Sequence, residues 1–398
     1  MHHARKSSRD FFKFEILHRS KKSNARVGVI TTPHGQIQTP CFVPVGTNAA
    51  MKCVSHNEVE GMELMFANTY HLLLQPGPEV IRNAGGLHTF MNRQKPIITD
   101  SGGFQVFSLQ HGSIVDERSG SGGGELKRAV LNKRNNNASG TVLKIDEQGV
   151  TFRSYRDGKK IFLSPENSVD AQKAFGADII IPLDELPPHH IDERSLINSL
   201  SRTHRWEERS LHQHLKNVNQ QAMYGVIHGS TSVRLREISA DHIRKLDFDG
   251  LCIGGSLGRT KEDLDSILQA VMPRLQSEEV PRPIHLLGIG DAPSIIAGIK
   301  QGVDQFDSSL PTKVARHGTV FLRNGERFNI RAGKHANDMS PLDEQCTCAV
   351  CRQHSRAYLH HLWKAKEPVV MNLLSQHNLC FTLSLMEAQR DAILKGDV

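Results

Sequence analysis

The sequence predicts a (β/α)8 barrel, the TIM-barrel class, with a small cysteine-rich subdomain near the C-terminus. Three observations predict it. Eight short apolar runs recur without the polar alternation of a half-exposed strand, the pattern of parallel strands covered on both faces. Helix-length amphipathic segments follow several of these runs, as a strand–helix repeat requires. After the eighth run the composition turns basic and rich in cysteine. A doubly wound open sheet is the rival arrangement of the same alternation.

In chain order the expected strands are CFVPV (41–45), LMFAN (64–68), PIIT (96–99), DIIIPLD (178–184), MYGVIH (223–228), GLCIGG (250–255), IHLLGIG (284–290) and VDQFD (303–307). The expected helices are 165–176, opened by Ser164-Pro165, then 192–217, 231–245, 261–275 and 292–301. Residues 1–26 form a basic arm expected to be a frayed end. The barrel is assigned to 27–340 and the small subdomain, with a C-terminal helix, to 341–398. Two stretches interrupt the barrel pattern. Residues 117–140, rich in Gly, Ser and Asn, read as a mobile loop, and 141–163 carries short alternating runs that read as a small β excursion before the fourth strand.

Composition narrows the class further. Hydrophobic residues make up 38% of 398, ample for a core. Apolar stretches such as Ile179-Ile180-Ile181 are far too short to cross a bilayer, and no secretory leader is read at the start. Seven cysteines, an odd number with three clustered, point to a reduced compartment and a metal, not a disulfide framework. A cytoplasmic protein without a membrane partner is expected. The net charge of +7 is unevenly spread: residues 312–366 hold ten Lys or Arg, including Lys313 and Arg316, against four acids. That +6 segment follows an acidic strand end and suits a polyanionic partner such as RNA or DNA.

In a barrel of this kind the chemistry lies at the C-terminal ends of the strands. Those ends carry Asn68, Asp100, Asp184-Glu185, His228, Gly254-Gly255, Gly288-Gly290 and Asp307. Helix capping explains a lone strand-end Asp, yet three strand ends carry carboxylates. In TDSGGFQVF (99–107) the acid is followed by a hydroxyl and two glycines, which let backbone approach a ligand closely. Paired carboxylates can work at an anomeric carbon, one at the carbon and one moving a proton. Two Trp and four Tyr are few sugar platforms, and the positive charge follows directly after Asp307. A glycosidic bond within a nucleic acid fits both facts better than a polysaccharide.

The metal signal is CTCAVC: Cys346, Cys348 and Cys351. Three thiols in six residues can bind tetrahedral Zn2+, with one ligand to find. Spacing leaves His377, Cys380, His354, His360 and His361 all available. A site closed by a fourth ligand has no open position for water and is structural.

These residues resemble one family. TPCFVPVGTNAAMK (39–52), NTYHLLLQPG (68–77), TDSGGFQVF (99–107), VTFRSYRDG (150–158), LSPENS (163–168), FDSSLPTKVARHG (306–318), CTCAVC and LLSQHNL (373–379) are similar to the motifs of the bacterial tRNA-guanine transglycosylases, the queuine tRNA-ribosyltransferases. Insert 117–140 is not part of that pattern. The resemblance implies a (β/α)8 barrel with a zinc-binding subdomain, exchanging guanine at the wobble position of tRNA for a 7-deazaguanine. It implies Asp307 as nucleophile at ribose C1′, Asp100 as general acid/base, and Asp184 as the acid that reads the base. Ser101 and the backbone of Gly255 add base contacts, and Phe104 and Leu287 sandwich the heterocycle. Lys313 and Arg316 would hold phosphates, and His377 matches the fourth zinc ligand. A homodimer and tRNAs for Asn, Asp, His and Tyr, with G-U-N anticodons, are expected on the same ground.

Two stretches depart from the family pattern. His228 in YGVIHGS stands where a base-contacting Gln is usual, and an imidazole lacks the two-sided geometry of an amide. In IGGSLGRT (253–260), Gly258 replaces a Val and Thr260 a Glu typical of enzymes that use the aminomethyl precursor base. Gly at that position resembles the members that accept whole queuine, so queuine salvage is expected. A non-catalytic tRNA-binding partner subunit is the alternative, against which the three retained aspartates argue.

Overall fold

The computed structural model describes residues 9–111, 142–187 and 191–398; the stretch 117–140, expected to be a mobile loop, lies outside them. Eight parallel strands close into a barrel: β1 (Cys41–Gly46), β2 (Met65–Ala67), β3 (Ile97–Thr99), β4 (Ile179–Ile180), β5 (Ala222–Ile227), β6 (Gly250–Ile253), β7 (Ile284–Leu286) and β8 (Gln305–Ser308). Each overlaps one of the eight apolar runs, overshooting it by no more than one residue. Closure, and not an open sheet, is the arrangement adopted. It leaves no free edge, so runs such as Ala222–Ile227 are buried at every position. Contact density divides the chain into two units, 68–87 with 99–282, and 9–67 with 88–98 and 283–398.

In the first of these units β4 pairs with β5, Ile179 with Ala222, and β5 with β6, Val226 with Cys252. Helices α1 (Thr69–Leu74), α2 (Gly103–His111), α3 (Pro165–Phe175), α4 (Glu193–Leu215), α5 (Val233–Ile243) and α6 (Lys261–Gln276) belong to this part of the chain. Ser164 opens α3 in a capping box with Pro165 at the first turn, and Gly176 closes it in the left-handed region. The run DIIIPLD forms only two strand residues, for a local reason. The amide of Gln172 on α3 accepts from the Ile181 N–H at 3.0 Å and donates to its carbonyl at 2.8 Å. The N–H groups of Leu183 and Glu185 go to the hydroxyls of Ser210 and Thr203 on α4. Side chains thus take the backbone bonds a longer ladder would have made.

The stretch 141–163 contains a three-stranded antiparallel sheet, 142–146, 149–153 and 160–163. Its inner residues Val150, Phe152 and Leu163 join Tyr70, Phe107 and the fully buried Trp206 in one core. The Trp206 indole N–H donates to the Glu147 carbonyl at 3.0 Å, which ties the sheet to α4.

In the second unit β1 pairs with β2 and β8, and β7 with β8; Asp307 is in register with Val43. The arm expected to fray is instead ordered from Lys13. Residues 13–19, 26–32 and 35–39 form an antiparallel sheet. Alternate residues Phe14, Ile16 and His18 are half-buried, and the Arg26 guanidinium lies 5.1 Å from the Phe14 ring. Helices α7 (Ala292–Gln301), α8 (Leu310–Ala315) and α9 (Val369–Lys395) complete this unit together with shorter helices. Its C-terminal core gathers Val320, Ile330, Leu342, Leu359 and Leu374. Among the described residues no helix is long and apolar enough to cross a membrane.

Candidate active site and metal centre

Every strand-end residue singled out in the sequence lies at or just past the C-terminal end of a barrel strand. In the first unit Asp100 directly follows β3 and is only 8% exposed. Its carboxylate accepts from the Asn68 amide at 2.8 Å and from the Thr69 N–H at 2.7 Å, so it caps α1, which follows a different strand. Burial raises its pKa to about 6, against the pull of those donors and of Gln105. A carboxyl group poised there can give or take a proton near neutrality.

Asp184 stands four residues past β4. It caps no helix; Asp192 does that for α4. Its Oδ1 accepts from the Ser101 hydroxyl at 3.2 Å and its Oδ2 lies 2.7 Å from His228 Nε2. The paired glycines after Asp100 have a tertiary reason that the sequence reading assigned to a ligand. A Cβ on Gly102 would come within 3.1 Å of the Tyr70 nitrogen, and one on Gly103 within 2.8 Å of the Asp184 carbonyl oxygen. They clear space for the protein's own chain. Phe104, at the start of α2, is 44% exposed.

His228 directly follows β5 and is 4% exposed, consumed largely by Asp184. Gly255, at φ +74°, lies against its ring: a Cβ there would meet His228 Nδ1 at 2.7 Å. Glu185, Thr203, His228, Ser230 and Gly255 line a concavity at these loops. Gly258 and Thr260 have structural roles of their own. Thr260 caps α6, its hydroxyl accepting from the Asp263 N–H at 3.1 Å, while Asp263 accepts in return from Thr260 and Arg259. Gly258, at φ +80°, packs where a Cβ would meet the Asp263 side chain at 2.2 Å.

In the second unit Asp307 is 9% exposed at the end of β8. Its Oδ1 accepts from the Gly288 N–H at 3.1 Å and lies 3.0 Å from His285 Nε2. Among the described residues Oδ2 receives no hydrogen bond, so one oxygen of a held carboxylate stays available. The half-buried Leu287 and the exposed Gly288 follow β7 directly. Lys313 and Arg316 lie on and just past α8; the Arg316 Nε donates to the Thr312 carbonyl at 3.2 Å.

The same unit brings together Cys346, Cys348, Cys351 and His377, with ligand atoms within 4.8 Å of one another, a group that could hold a metal ion. His377 Nδ1 lies 3.3 Å from the Cys351 sulfur and 3.7 Å from the Cys348 sulfur. Its Nε2–H donates to the Phe321 carbonyl at 2.8 Å, which leaves the Nδ1 lone pair facing the thiols. Of the fourth ligands left open by spacing, this group contains His377.

Sequence reasoning missed His285 and the role of Thr69. A histidine inside an otherwise apolar buried strand, two residues before Leu287, was the signal for the first. Nothing local marks Thr69, which contributes only its backbone.

Known proteins resemble this chain over nearly its whole length. The family model described as queuine tRNA-ribosyltransferase matches residues 20–121 and 126–398. The match breaks at 122–125, inside the stretch 117–140. The queuine tRNA-ribosyltransferase of Protochlamydia amoebophila is 51% identical over 385 residues, 96% of this chain and 95% of its own. Those of Chlamydia caviae and Chlamydia pneumoniae are 49% and 48% identical over 388 residues, 97% of this chain and 99% of theirs. The chain belongs to the queuine tRNA-ribosyltransferase family, the tRNA-guanine transglycosylases, which are pentosyltransferases.

Proposed function

We propose that this chain is an active tRNA-guanine transglycosylase that exchanges the wobble guanine of G-U-N tRNAs, those for Asn, Asp, His and Tyr, for queuine in preference to the aminomethyl precursor. The observation that carries the exchange chemistry is Asp100: buried, fixed by two N–H donors, and with its pKa pushed up to about 6. Such a group suits a reaction that needs a proton first given and then taken back.

The steps balance on this chain's residues. The open oxygen of Asp307 attacks ribose C1′ as the bond from C1′ to guanine N9 breaks, and Asp100 gives its proton to N9, releasing neutral guanine. The incoming base then loses its N9 proton to Asp100. Its nitrogen attacks C1′ and expels the Asp307 carboxylate, which restores both acids. Asp184, fixed by Ser101 and His228, accepts hydrogen bonds from the N–H edge of the base, and the Gly255 N–H donates to its carbonyl. Phe104 and Leu287 cover the faces of the heterocycle. Lys313 and Arg316 hold phosphates, which makes binding salt-dependent.

The Cys346, Cys348, Cys351 and His377 group suits Zn2+. Tetrahedral bonds of about 2.3 Å to sulfur and about 2.1 Å to nitrogen place ligand atoms roughly 3.5 Å apart, close to the observed 3.3 and 3.7 Å. The metal's part is structural, joining the CTCAVC segment to α9. The queuine preference is supported by what the 258–260 segment lacks. Gly258 offers no side chain to crowd a cyclopentenediol arm, and the hydroxyl of Thr260 is spent on capping where a carboxylate would face the aminomethyl group. The protein acts in the cytoplasm as a homodimer.

The test is release of labelled guanine from an unmodified tRNA of this set, with queuine or the precursor as incoming base and Asp307→Ala as control. Release favoured by queuine and lost in the variant is the expected result. Release favoured by the precursor would keep the enzyme and discard the preference. Binding of tRNA without release would place the chain among non-catalytic partner subunits.

A further inference from the structure

Arg236 is a fully buried arginine whose hydrogen bonds, among the described residues, go to backbone carbonyls and to no carboxylate. Its guanidinium donates to the carbonyls of Ile227 and Gly254 at 2.7 Å and of Ser230 and Ser256 at 2.8 Å. Burying a guanidinium without a counter-ion is costly unless its donors are met, and four carbonyls converging on one cation is a built arrangement. These carbonyls belong to the two loops that carry His228 and Gly255. The Gly254 carbonyl and the Gly255 N–H are one peptide unit, so the guanidinium bonds the oxygen of the peptide that carries this N–H on its opposite edge. The Ile227–His228 peptide is held in the same way. Its carbonyl accepts from Arg236, and its N–H donates to the Ser239 hydroxyl at 3.1 Å, one turn further along α5.

We propose that Arg236 is a positioning residue for base recognition, which fixes the Gly254–Gly255 peptide and polarises its N–H toward the carbonyl of the bound base. A cation on a peptide oxygen draws electron density from the amide and strengthens its N–H as a donor. The inference rests on the base pose of the preceding subsection, in which the Gly255 N–H meets the base carbonyl.

The test measures inhibition constants for guanine and for 2-aminopurine, which lacks the 6-carbonyl, in wild type, Arg236→Lys and Arg236→Met, with melting temperatures alongside. A Lys ammonium keeps the charge but cannot span four carbonyls in a plane. Guanine binding is expected to weaken by about tenfold in Arg236→Lys and further in Arg236→Met. The constant for 2-aminopurine should stay within about threefold of wild type. Equal weakening for both bases would overturn the proposal, since it would mean general collapse of the loops. So would unchanged guanine binding, or loss of the fold in both variants, which would make Arg236 a stability residue. A wild-type protein that binds no guanine at all would instead sink the base pose itself.

Discussion

Asp304 and Asp307 stand at the two ends of one barrel strand and are held in opposite ways. Asp304, just before β8, is fully buried. The Arg26 guanidinium donates to both of its oxygens, through Nε at 2.9 Å to Oδ1, and Oδ2 also accepts the Ile284 N–H at 2.7 Å. Asp307, at the other end, has a buried imidazole and a backbone N–H on a single oxygen. An acid saturated by a full counter-charge joins the N-terminal sheet to the barrel strands of its unit. An acid oriented on one oxygen and left open on the other can become a nucleophile. The difference follows the general division of such barrels, stability at the N-terminal ends of strands and chemistry at the C-terminal ends.

The sharpest way to break this comparison is to exchange the consequences. Asp307→Ala should reduce guanine release by about four orders of magnitude, since the covalent route is lost, with the melting temperature changed by no more than about 2 °C. Release within tenfold of wild type would remove Asp307 from the chemistry. Arg26→Met should do the reverse. Leaving Asp304 buried and unpaired costs about 3–5 kcal/mol, which a denaturant titration reads directly. Guanine release per folded molecule should be unchanged, and a variant that is stable yet slow would contradict the division.

The Cys3His group belongs with Asp304 on this view. Stripping its metal with a chelator, or Cys348→Ser, should lower the thermal transition, because binding at such a site is folding free energy. Loss of activity should then follow loss of folded protein; inactivation of a fully folded, metal-free chain would give the metal a role in the reaction.

The smallest expected effect concerns Asp100. Single-turnover guanine release needs its protonated form and should decline as pH rises through about 6, while addition of the incoming base needs the carboxylate and should rise over the same range. Flat profiles between pH 5 and 7 for both half-reactions would take the proton transfer away from it. The sign for stability is also fixed. The folded state holds this proton more tightly than the unfolded chain, so the contribution is fully present below about pH 4 and is lost as pH rises through about 6.

Much of this was legible in the residues. The eight apolar runs each overlap a strand, and helices 292–301 and 261–276 arise almost residue for residue where amphipathic spacing places them. The fit is poorer where side chains compete for the backbone. DIIIPLD promised a seven-residue strand, but Gln172, Thr203 and Ser210 divert its hydrogen bonds. The arm around Lys13 looked like a charged end because charged residues separate its few apolar ones, yet burial alternates along it as in a half-buried edge strand. Gly258 and Thr260 were read as marks of a ligand, and their capping geometry with Asp263 gives each a structural part as well, which no local pattern announced.

By itself the sequence determined the strand–helix alternation, the three strand-end aspartates and the Cys-x-Cys-x2-Cys spacing, because periodicity and short-range spacing act over a few residues. Only the tertiary structure decided which groups meet those residues. Asn68 reaches Asp100 across 32 positions, His228 reaches Asp184 across 44, and Arg26 reaches Asp304 across 278. Whether a buried aspartate is neutralised, oriented or left with an open oxygen depends on such partners. They are brought together by strand pairing and by packing between elements far apart in the chain, and no local pattern encodes them.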